Sequence, residues 1–267
     1  MAYAKAGRQK LYYEVIDVTA PWVGDPETIV FHHGVGSESG MWNEWISVLG
    51  SRYRIVTFDF RGFGRSADAG RGFKWTLDNV VADLAAVADA AGARRFHLVG
   101  ESMGGTIALC FALAHPRRVK SITVSNGAHI GSSIEHVSHW KRVLDRQGAA
   151  GWSRGMMADR FFAGALPEDK RRWFSRQQAK CRPDSVLDAL SLLVGIDIKD
   201  RLGRIRVPAL LLHPDHSPFI PVEVMADLHR RLPAAQMKVF PNSRHGLPFS
   251  HARECAETLR DFLESSR

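Results

Sequence analysis

The sequence has few cysteines and no long apolar run. Its three cysteines, Cys110, Cys181 and Cys255, are scattered without metal-ligand spacing, which argues against a disulfide framework and favours a reducing compartment. No apolar stretch approaches the roughly 20 residues that span a bilayer. Residues 1–8 also lack the apolar core of a signal peptide. We therefore expect a cytoplasmic protein that does not insert into membranes.

The sequence also has fewer acidic than basic residues, so the net charge is +8. A basic balance can indicate nucleic-acid binding, but no nucleic-acid-binding motif accompanies it, and we expect no such partner. A positive field also favours anionic substrates, although a solvated arginine-rich surface explains the charge equally well. Much of the charge lies in short arginine pairs spread along the chain, at residues 117–118, 171–172 and 230–231.

Short apolar runs alternate with helical stretches along the sequence. Several runs are continuously apolar, which is typical of parallel strands covered on both faces. This order predicts an α/β fold with a mostly parallel, doubly wound sheet. The predicted strands are residues 11–17, 28–33, 53–60, 95–99, 121–126, 209–213 and 236–240. The predicted helices are residues 41–49, 77–91, 103–114, 221–231 and 252–264.

Residues 131–202 interrupt this alternation, because no strand is predicted among them. About 70 residues is too long for a simple crossover between two strands. We expect these residues, called the cap segment below, to form a helical cap over the carboxyl edge of the sheet. The core would then consist of residues 1–130 and 203–267. The helical stretches of the cap segment are residues 134–146, 152–162, 168–179 and 183–194.

Residues 100–105, with the sequence GESMGG, carry the most specific functional signal. A G-x-S-x-G pattern between a strand and a helix is typical of a nucleophile elbow, a strained turn that raises the serine clear of the sheet. Ser102 is therefore the predicted nucleophile. It lies at a helix N-terminus, where free N–H groups can stabilise an oxyanion. The alternative interpretation is a glycine-rich turn with an exposed serine.

A serine hydroxyl needs a base that accepts its proton. The predicted base is His245, because it follows the last predicted strand, from where a loop can return to the elbow. A histidine in a surface loop is the alternative interpretation, since the chain has twelve histidines. His251 is the rival candidate, but its place near the start of the last helix favours a capping or surface role.

Residues 32–36, with the sequence HHGVG, follow the predicted strand 28–33. Their glycines let the backbone turn inward, so the N–H groups of Val35 and Met103 are predicted to form the oxyanion hole. The alternatives are an ordinary glycine-rich turn or a metal site at the paired histidines. No Asp, Glu or third His stands at ligand spacing, so we expect no metal. We also expect no cofactor.

Together these elements resemble the α/β-hydrolase superfamily over nearly the whole chain. The resemblance rests on residues 33–36, the motif DFRGFGRS at residues 59–66, the elbow at Ser102 and the late His245. It implies that residues 59–66 brace the loops around the site and are not catalytic. Within the superfamily the chain looks most like the 3-oxoadipate enol-lactonase and carboxylesterase group. The segments that carry this narrower likeness are residues 100–105, 161–174 and 198–208.

The chain departs from the superfamily pattern at the acid that should orient the histidine. Relatives commonly carry it as Asp-x-x-x-Pro after the strand that corresponds to residues 209–213. Here the spacing to Pro221 puts Ser217 at that position. We predict that Asp215 is the acid, because it is the only carboxylate in that loop. The alternatives are an acid moved to Asn126, which is no carboxylate, or a Ser102–His245 dyad with Ser217 or a water orienting the ring.

The sequence therefore predicts a serine hydrolase of a small carboxylic ester or lactone, with Ser102, His245 and Asp215 as its catalytic residues. A second hypothesis keeps this machinery but cleaves C–C bonds of ring-cleavage products. A third is a non-catalytic ligand-binding protein on the same fold, favoured by the unusual acid loop and opposed by the intact elbow.

Overall fold

The computed structural model describes residues 2–266, which contain one sheet of eight strands in the order β1-β2-β4-β3-β5-β6-β7-β8. The strands from β4 to β8 in this order are parallel, and β1 and β2 extend the sheet as antiparallel neighbours. The predicted mostly parallel α/β sheet is confirmed. The strands are β1 (Ala2–Ala6), β2 (Gln9–Ile16), β3 (Thr28–His32), β4 (Arg54–Phe58), β5 (Phe96–Glu101), β6 (Val119–Ser125), β7 (Ala209–Pro214) and β8 (Ala235–Phe240).

Helices cover both faces of this sheet. No helix within residues 2–266 combines the length and the apolar character that crossing a membrane requires. The helices are α1 (Asn43–Leu49), α2 (Leu77–Ala90), α3 (Met103–Ala114), α4 (Val137–Arg160), α5 (Glu168–Ala179), α6 (Pro183–Val194), α7 (Val222–Arg231), α8 (Leu247–Ser250) and α9 (Ala252–Ser265). Short 3₁₀ turns occur at Ser39–Trp42, Gly64–Ser66, Pro116–Arg118, Gly131–Ser133 and Lys199–Arg204.

Buried apolar runs form the central strands. All residues of β3 and β5 are buried, which explains their continuous rather than alternating apolar pattern. Helix α3 is buried from Met103 to Leu113, so it is apolar on every side and lies in the centre of the molecule. The catalytic candidate Ser102 thus stands between a fully buried strand and the buried helix α3.

The cap segment contributes α4, α5 and α6 between β6 and β7. Two predicted stretches, 134–146 and 152–162, correspond to the two halves of α4. Gly148 lies inside it with φ 62° and ψ −173°, a non-helical conformation that kinks the helix. Trp140 and Val186 of the cap segment belong to the same apolar cluster as Leu98 and Ile107 under the sheet.

The strand order changes direction between β3 and β5. From β3 the chain continues to β4 on one side, whereas β5 pairs with β3 on the other side. Ligands of open α/β sheets bind at such a switch point, outside the carboxyl ends of the strands. His32 pairs with Gly100 at this edge, so the loops that follow β3 and β5 emerge side by side.

Candidate active site

The turn after β5 has the backbone geometry predicted for an elbow. Ser102 has φ 54° and ψ −119°, a conformation that costs a non-glycine residue of order 1–3 kcal/mol. The flanking glycines are required by close backbone approaches. A Cβ on Gly100 would lie 2.2 Å from the Gly104 carbonyl oxygen, and one on Gly104 would lie 2.3 Å from the His32 carbonyl oxygen.

Ser102 and His245 meet at this turn. The Oγ of Ser102 lies 3.1 Å from Nε2 of His245, although 143 residues separate them. Burial holds the pKa of His245 well below its usual range, and the charges of Arg160 and His213 lower it further. The imidazole is therefore neutral near pH 7, as a general base must be. His251, the rival candidate, instead contacts Ser250 and the ring of Phe240.

The loop after β3 lies directly against the elbow. A Cβ on Gly34 would stand 2.8 Å from the Cβ of Ser102. The backbone N–H groups of Val35 and Met103 have no hydrogen-bond acceptor among residues 2–266. Both are thus available to a ligand oxygen, as the predicted oxyanion hole requires.

His33 fixes the conformation of this loop. Its Nε2 accepts a hydrogen bond from the Phe60 N–H at 2.8 Å, so its proton must be on Nδ1. Nδ1 then donates to the Gly34 carbonyl at 2.8 Å. Burial lowers the pKa of His33, which keeps the ring neutral. His33 is therefore a structural part of the loop, and Nδ1 of His32 lies 2.7 Å from the His33 carbonyl oxygen.

Ser217 occupies the place of the triad acid. Its Oγ lies 3.1 Å from Nδ1 of His245. The same oxygen accepts longer hydrogen bonds from the N–H groups of Ile220, at 3.2 Å, and Phe219, at 3.4 Å. The ring of Phe219 packs against the imidazole with 4.8 Å between centroids. A hydroxyl and an aromatic ring thus support His245 at the position where the sequence pattern predicts a carboxylate.

The structure does not bring Asp215 to His245, which corrects the expectation from the sequence. The carboxylate of Asp215 accepts hydrogen bonds from the N–H groups of Asn242 and Ser243, at 2.9 Å and 3.0 Å. His216 Nδ1 lies 2.8 Å from the same carboxylate. Asp215 directly follows β7. Its side chain turns towards the loop that follows the neighbouring strand β8. It holds the loop that carries His245 but does not touch the imidazole.

Asn126, the other alternative for the acid, acts on the backbone of the base loop. Its Nδ2 donates to the carbonyl of His245 at 2.7 Å. Asn126 has φ 56°, a second positive value at the carboxyl edge of the sheet. The position of Asn126, a polar residue after a buried strand, is a sequence signal for such a role. The sequence does not indicate that its partner is the carbonyl of His245.

Two buried charged residues of the site were not predicted from the sequence. Glu101 precedes Ser102 in the elbow, and its Oε1 lies 3.4 Å from Nη1 of Arg160, the last residue of α4. The same oxygen lies 3.9 Å from Nε2 of His245. Burial raises the pKa of Glu101, and Arg160 and the Gly34 N–H oppose that rise.

A small cavity lies beside Ser102. Its lining is mostly apolar, and its ionisable residues are Arg160 and His245. Such a site suits a small, mainly apolar ligand placed against a few polar groups. The cap segment contributes Ile134, Trp140, Trp152, Met156, Arg160, Leu190 and Leu193 to the lining.

The motif at residues 59–66 braces the surrounding loops. Asp59 accepts hydrogen bonds from the N–H groups of Ser39 and Arg65, both at 2.8 Å. Arg61 forms a bidentate ion pair with the buried Asp83, with both N–O distances 2.6 Å. Neither residue lines the cavity beside Ser102. Across residues 2–266, no group of three or more His, Cys, Asp or Glu side chains is arranged to hold a metal ion.

Comparison with known proteins agrees with the fold described above. The family model described as the alpha/beta hydrolase fold matches residues 27–195. The enol-lactonase from Burkholderia xenovorans LB400 superposes with a TM-score of 0.88 at 20% sequence identity, covering 98% of this chain and 100% of that one. At that identity the likeness establishes the fold.

Two sequence relatives span almost the same length as this chain. A protein of Azorhizobium caulinodans named for carbamate hydrolysis, RutD, is 28% identical over 247 residues, which are 89% of this chain and 88% of the relative. The pimeloyl-[acyl-carrier protein] methyl ester esterase of Aeromonas hydrophila is 28% identical over 263 residues, 93% of this chain and 100% of the relative.

Proposed function

Because this chain belongs to the α/β-hydrolase family, we propose that it hydrolyses a small carboxylic ester or lactone through an acyl-enzyme on Ser102. The observation that carries the proposal is the 3.1 Å contact between Ser102 Oγ and His245 Nε2 at a strained turn beside a cavity. A nucleophile and a base within hydrogen-bond reach are the signature of nucleophilic catalysis.

In the first half-reaction, Ser102 Oγ attacks the carbonyl carbon of the substrate while His245 Nε2 takes the hydroxyl proton. The carbonyl oxygen becomes an oxyanion, which accepts hydrogen bonds from the N–H groups of Val35 and Met103. When the intermediate collapses, the bond to the leaving oxygen breaks and His245 returns its proton to that oxygen. The products are an alcohol, or the opened end of a lactone, and an acyl ester on Ser102.

In the second half-reaction, His245 takes a proton from water, and the resulting hydroxide attacks the acyl carbon. The same two N–H groups stabilise the second oxyanion. Its collapse releases the carboxylic acid, and His245 returns its proton to Ser102 Oγ. Water is the only co-reactant that this sequence of steps needs.

Two comparisons support an ester or lactone as the substrate. One relative is named as a methyl ester esterase, and a structural neighbour is an enol-lactonase. Another relative, 27% identical over 254 residues, is the 2-hydroxy-6-oxo-6-phenylhexa-2,4-dienoate hydrolase of Burkholderia cepacia, which keeps C–C bond hydrolysis as the second candidate.

Turnover of a substrate panel tests the proposal. We expect the wild type to hydrolyse short-chain p-nitrophenyl esters or small lactones faster than vinylogous diketo acids. Ser102→Ala and His245→Ala should lower kcat by about 10⁶-fold, the loss found when either member of a related pair is removed. His251→Ala is the matched control and should keep wild-type rates.

Faster C–C cleavage than ester hydrolysis would replace the proposed substrate class. Unchanged ester hydrolysis in Ser102→Ala would exclude the acyl-enzyme. If no member of the panel is turned over but one raises the melting temperature, the protein is a binder and not an enzyme.

A further inference from the structure

Arg160 contacts three loops of the candidate site. Its Nη2 donates to the Val35 carbonyl at 2.8 Å, and its Nη1 lies 3.4 Å from Oε1 of Glu101 in the elbow. Its own carbonyl accepts the N–H of Gly246 at 2.9 Å, next to the base His245. One residue at the end of α4 therefore joins the cap segment to the oxyanion loop, the elbow and the base loop.

The charge of Arg160 requires a partner at this depth. An arginine side chain stays protonated in proteins, and the exposed fraction of this one is only 4%. Glu101, whose side chain is 1% exposed, is the carboxylate that faces it. Removing one member of such a buried pair leaves an uncompensated charge, which is strongly unfavourable. The two residues thus act as a unit.

We propose that Arg160 is a positioning residue that assembles the oxyanion loop, the elbow and the base loop, with Glu101 as its counter-charge. The proposal rests on the hydrolase function proposed above and deepens it. Neither residue reacts with substrate in this account. Both act through the groups that do, namely Val35, Ser102 and His245.

The first part of this role concerns the oxyanion hole. The Val35 N–H has to point at the oxygen that becomes negative, and Gly36, the next residue, has φ 78°, which only glycine adopts easily. The hydrogen bond from Arg160 to the Val35 carbonyl fixes the peptide between Val35 and Gly36, which directly follows the Gly34–Val35 peptide that carries the Val35 N–H. Without it, nothing on the cap side holds that peptide among the described hydrogen bonds.

The second part concerns the charge around His245. The groups that face its ring are Ser102 and Glu101 from the elbow, Arg160 from α4, His213 from β7, and Ser217 with Phe219 from the β7 loop. When Nε2 accepts the serine proton, a second positive charge forms near Arg160. Glu101 lies 3.9 Å from that nitrogen and offsets the repulsion.

Kinetics of position-160 variants test the first part. We expect Arg160→Met to lower kcat by about 10²-fold, the loss typical of one oxyanion-hole donor, with KM for a neutral p-nitrophenyl ester within about 3-fold of wild type. Arg160→Lys keeps the charge but loses the planar fork that bridges Glu101 and Val35, so its kcat should also fall. Arg154→Met, an exposed position on the same helix, is the control and should retain wild-type kcat.

The pH dependence of kcat/KM tests the second part. The reaction needs neutral His245, so kcat/KM falls on the acidic side of its pH profile with the pKa of the imidazole. We call that side of the profile the acid limb. Arg160→Met removes a nearby positive charge and should move that limb to higher pH. Glu101→Gln leaves Arg160 uncompensated and should move it to lower pH, while Arg160→Lys should leave it in place. Glu101→Gln/Arg160→Met removes both charges, so it tests the loss of the Val35 contact even if a single variant is unfolded.

Three results would overturn the inference. One is wild-type kcat in folded Arg160→Met or in the double variant. Another is shifts of the acid limb in the same direction for Glu101→Gln and Arg160→Met. The third is a loss confined to KM for carboxylate-bearing esters, which would make Arg160 a substrate-binding residue. The proposed function fails separately, if wild type itself turns over no ester and no lactone, or if Ser102→Ala remains active.

Discussion

At the scale of single residues, Ser217 changes what holds the imidazole of His245. A carboxylate can only accept a hydrogen bond, so it forces the proton onto Nδ1 and leaves Nε2 free to act as a base. A hydroxyl can accept or donate, so both tautomers of His245 fit this contact. The tautomer with its proton on Nε2 is favoured, because Ser217 Oγ already accepts from two backbone N–H groups and its O–H is left to donate to Nδ1. Only the other tautomer is active.

This ambiguity predicts a gain of function at position 217. Ser217→Asp should lock the active tautomer and stabilise the imidazolium, so we expect kcat to rise by about 10-fold or more, a part of the 10⁴-fold that a triad carboxylate contributes elsewhere. The added negative charge raises the pKa of His245, so the acid limb of kcat/KM should move to higher pH. Steady-state kinetics between pH 4 and 9 measures both effects.

Asp215→Asn is the matched comparison for this variant. It removes a carboxylate that touches the loop but not the ring, so kcat should stay within about 10-fold of wild type and the acid limb should not move. A 10³-fold or greater loss in Asp215→Asn, with no gain in Ser217→Asp, would return the role of the acid to Asp215.

At the scale of elements, local sequence patterns are sufficient to predict most of the helices and strands. Helices α3, α5 and α6 have the predicted bounds, since their apolar spacing and their flanking Pro and Gly residues are local signals. Strand β1 was not predicted, because its five residues alternate weakly and depend on pairing with β2. The predicted stretches 134–146 and 152–162 correspond to the two halves of α4, which Gly148 separates with a non-helical backbone conformation.

The residues of the candidate site also differ in whether a local sequence pattern or only a long-range contact identifies them. Ser102 and His245 were predictable because the elbow is a local motif and the base has a characteristic place after the last strand. The contacts of Arg160 with Glu101 and Val35 cross 59 and 125 residues, and no local pattern distinguishes this arginine from the others. The misassignment of Asp215 has the same cause, since side-chain direction after β7 depends on the neighbouring β8 loop.

Substitutions at two helical glycines distinguish the effect of close packing on stability from the effect of backbone entropy. Gly104→Ala in α3 would place a Cβ 2.3 Å from the His32 carbonyl, which is backbone and cannot give way locally. We expect about 1–3 kcal/mol of destabilisation and a loss of activity, because the elbow must move from β3. Gly155→Ala in α4 meets no atom within 4 Å and should stabilise the protein by about 0.5–1 kcal/mol.

Chemical denaturation followed by circular dichroism, with activity measured in parallel, checks this pair. Equal effects of the two substitutions on stability would mean that the close approach of the elbow to β3 does not exist in solution.

At the scale of the whole molecule, buried histidines make stability depend on pH. Burial lowers the pKa of His32 to about 3 and that of His213 to about 4, and the pKa values of His33 and His245 are lowered in the same direction. The unfolded chain binds a proton at each of these residues below about pH 6.5, whereas the folded chain does not. The free energy of unfolding must therefore fall as the pH decreases from 6.5.

Each such histidine contributes a slope of about 1.4 kcal/mol per pH unit between its unfolded and folded pKa values. His213→Asn should reduce the total slope between pH 6.5 and 4.5 by about that amount, whatever it does to stability itself. His139→Asn, at an exposed position of α4, is the control and should leave the slope unchanged. Urea unfolding at several pH values measures the slope, and a profile that is flat below pH 6.5 would contradict this account.

The central claim is that Ser102 is a nucleophile activated by His245. The most direct test is to react the protein with a fluorophosphonate probe and to locate the residue that carries the label. Peptide mapping by mass spectrometry should find one label, on Ser102. Labelling should be absent in Ser102→Ala and strongly slowed in His245→Ala, while His251→Ala labels like the wild type. A label on another residue, or labelling that survives in Ser102→Ala, would contradict the account.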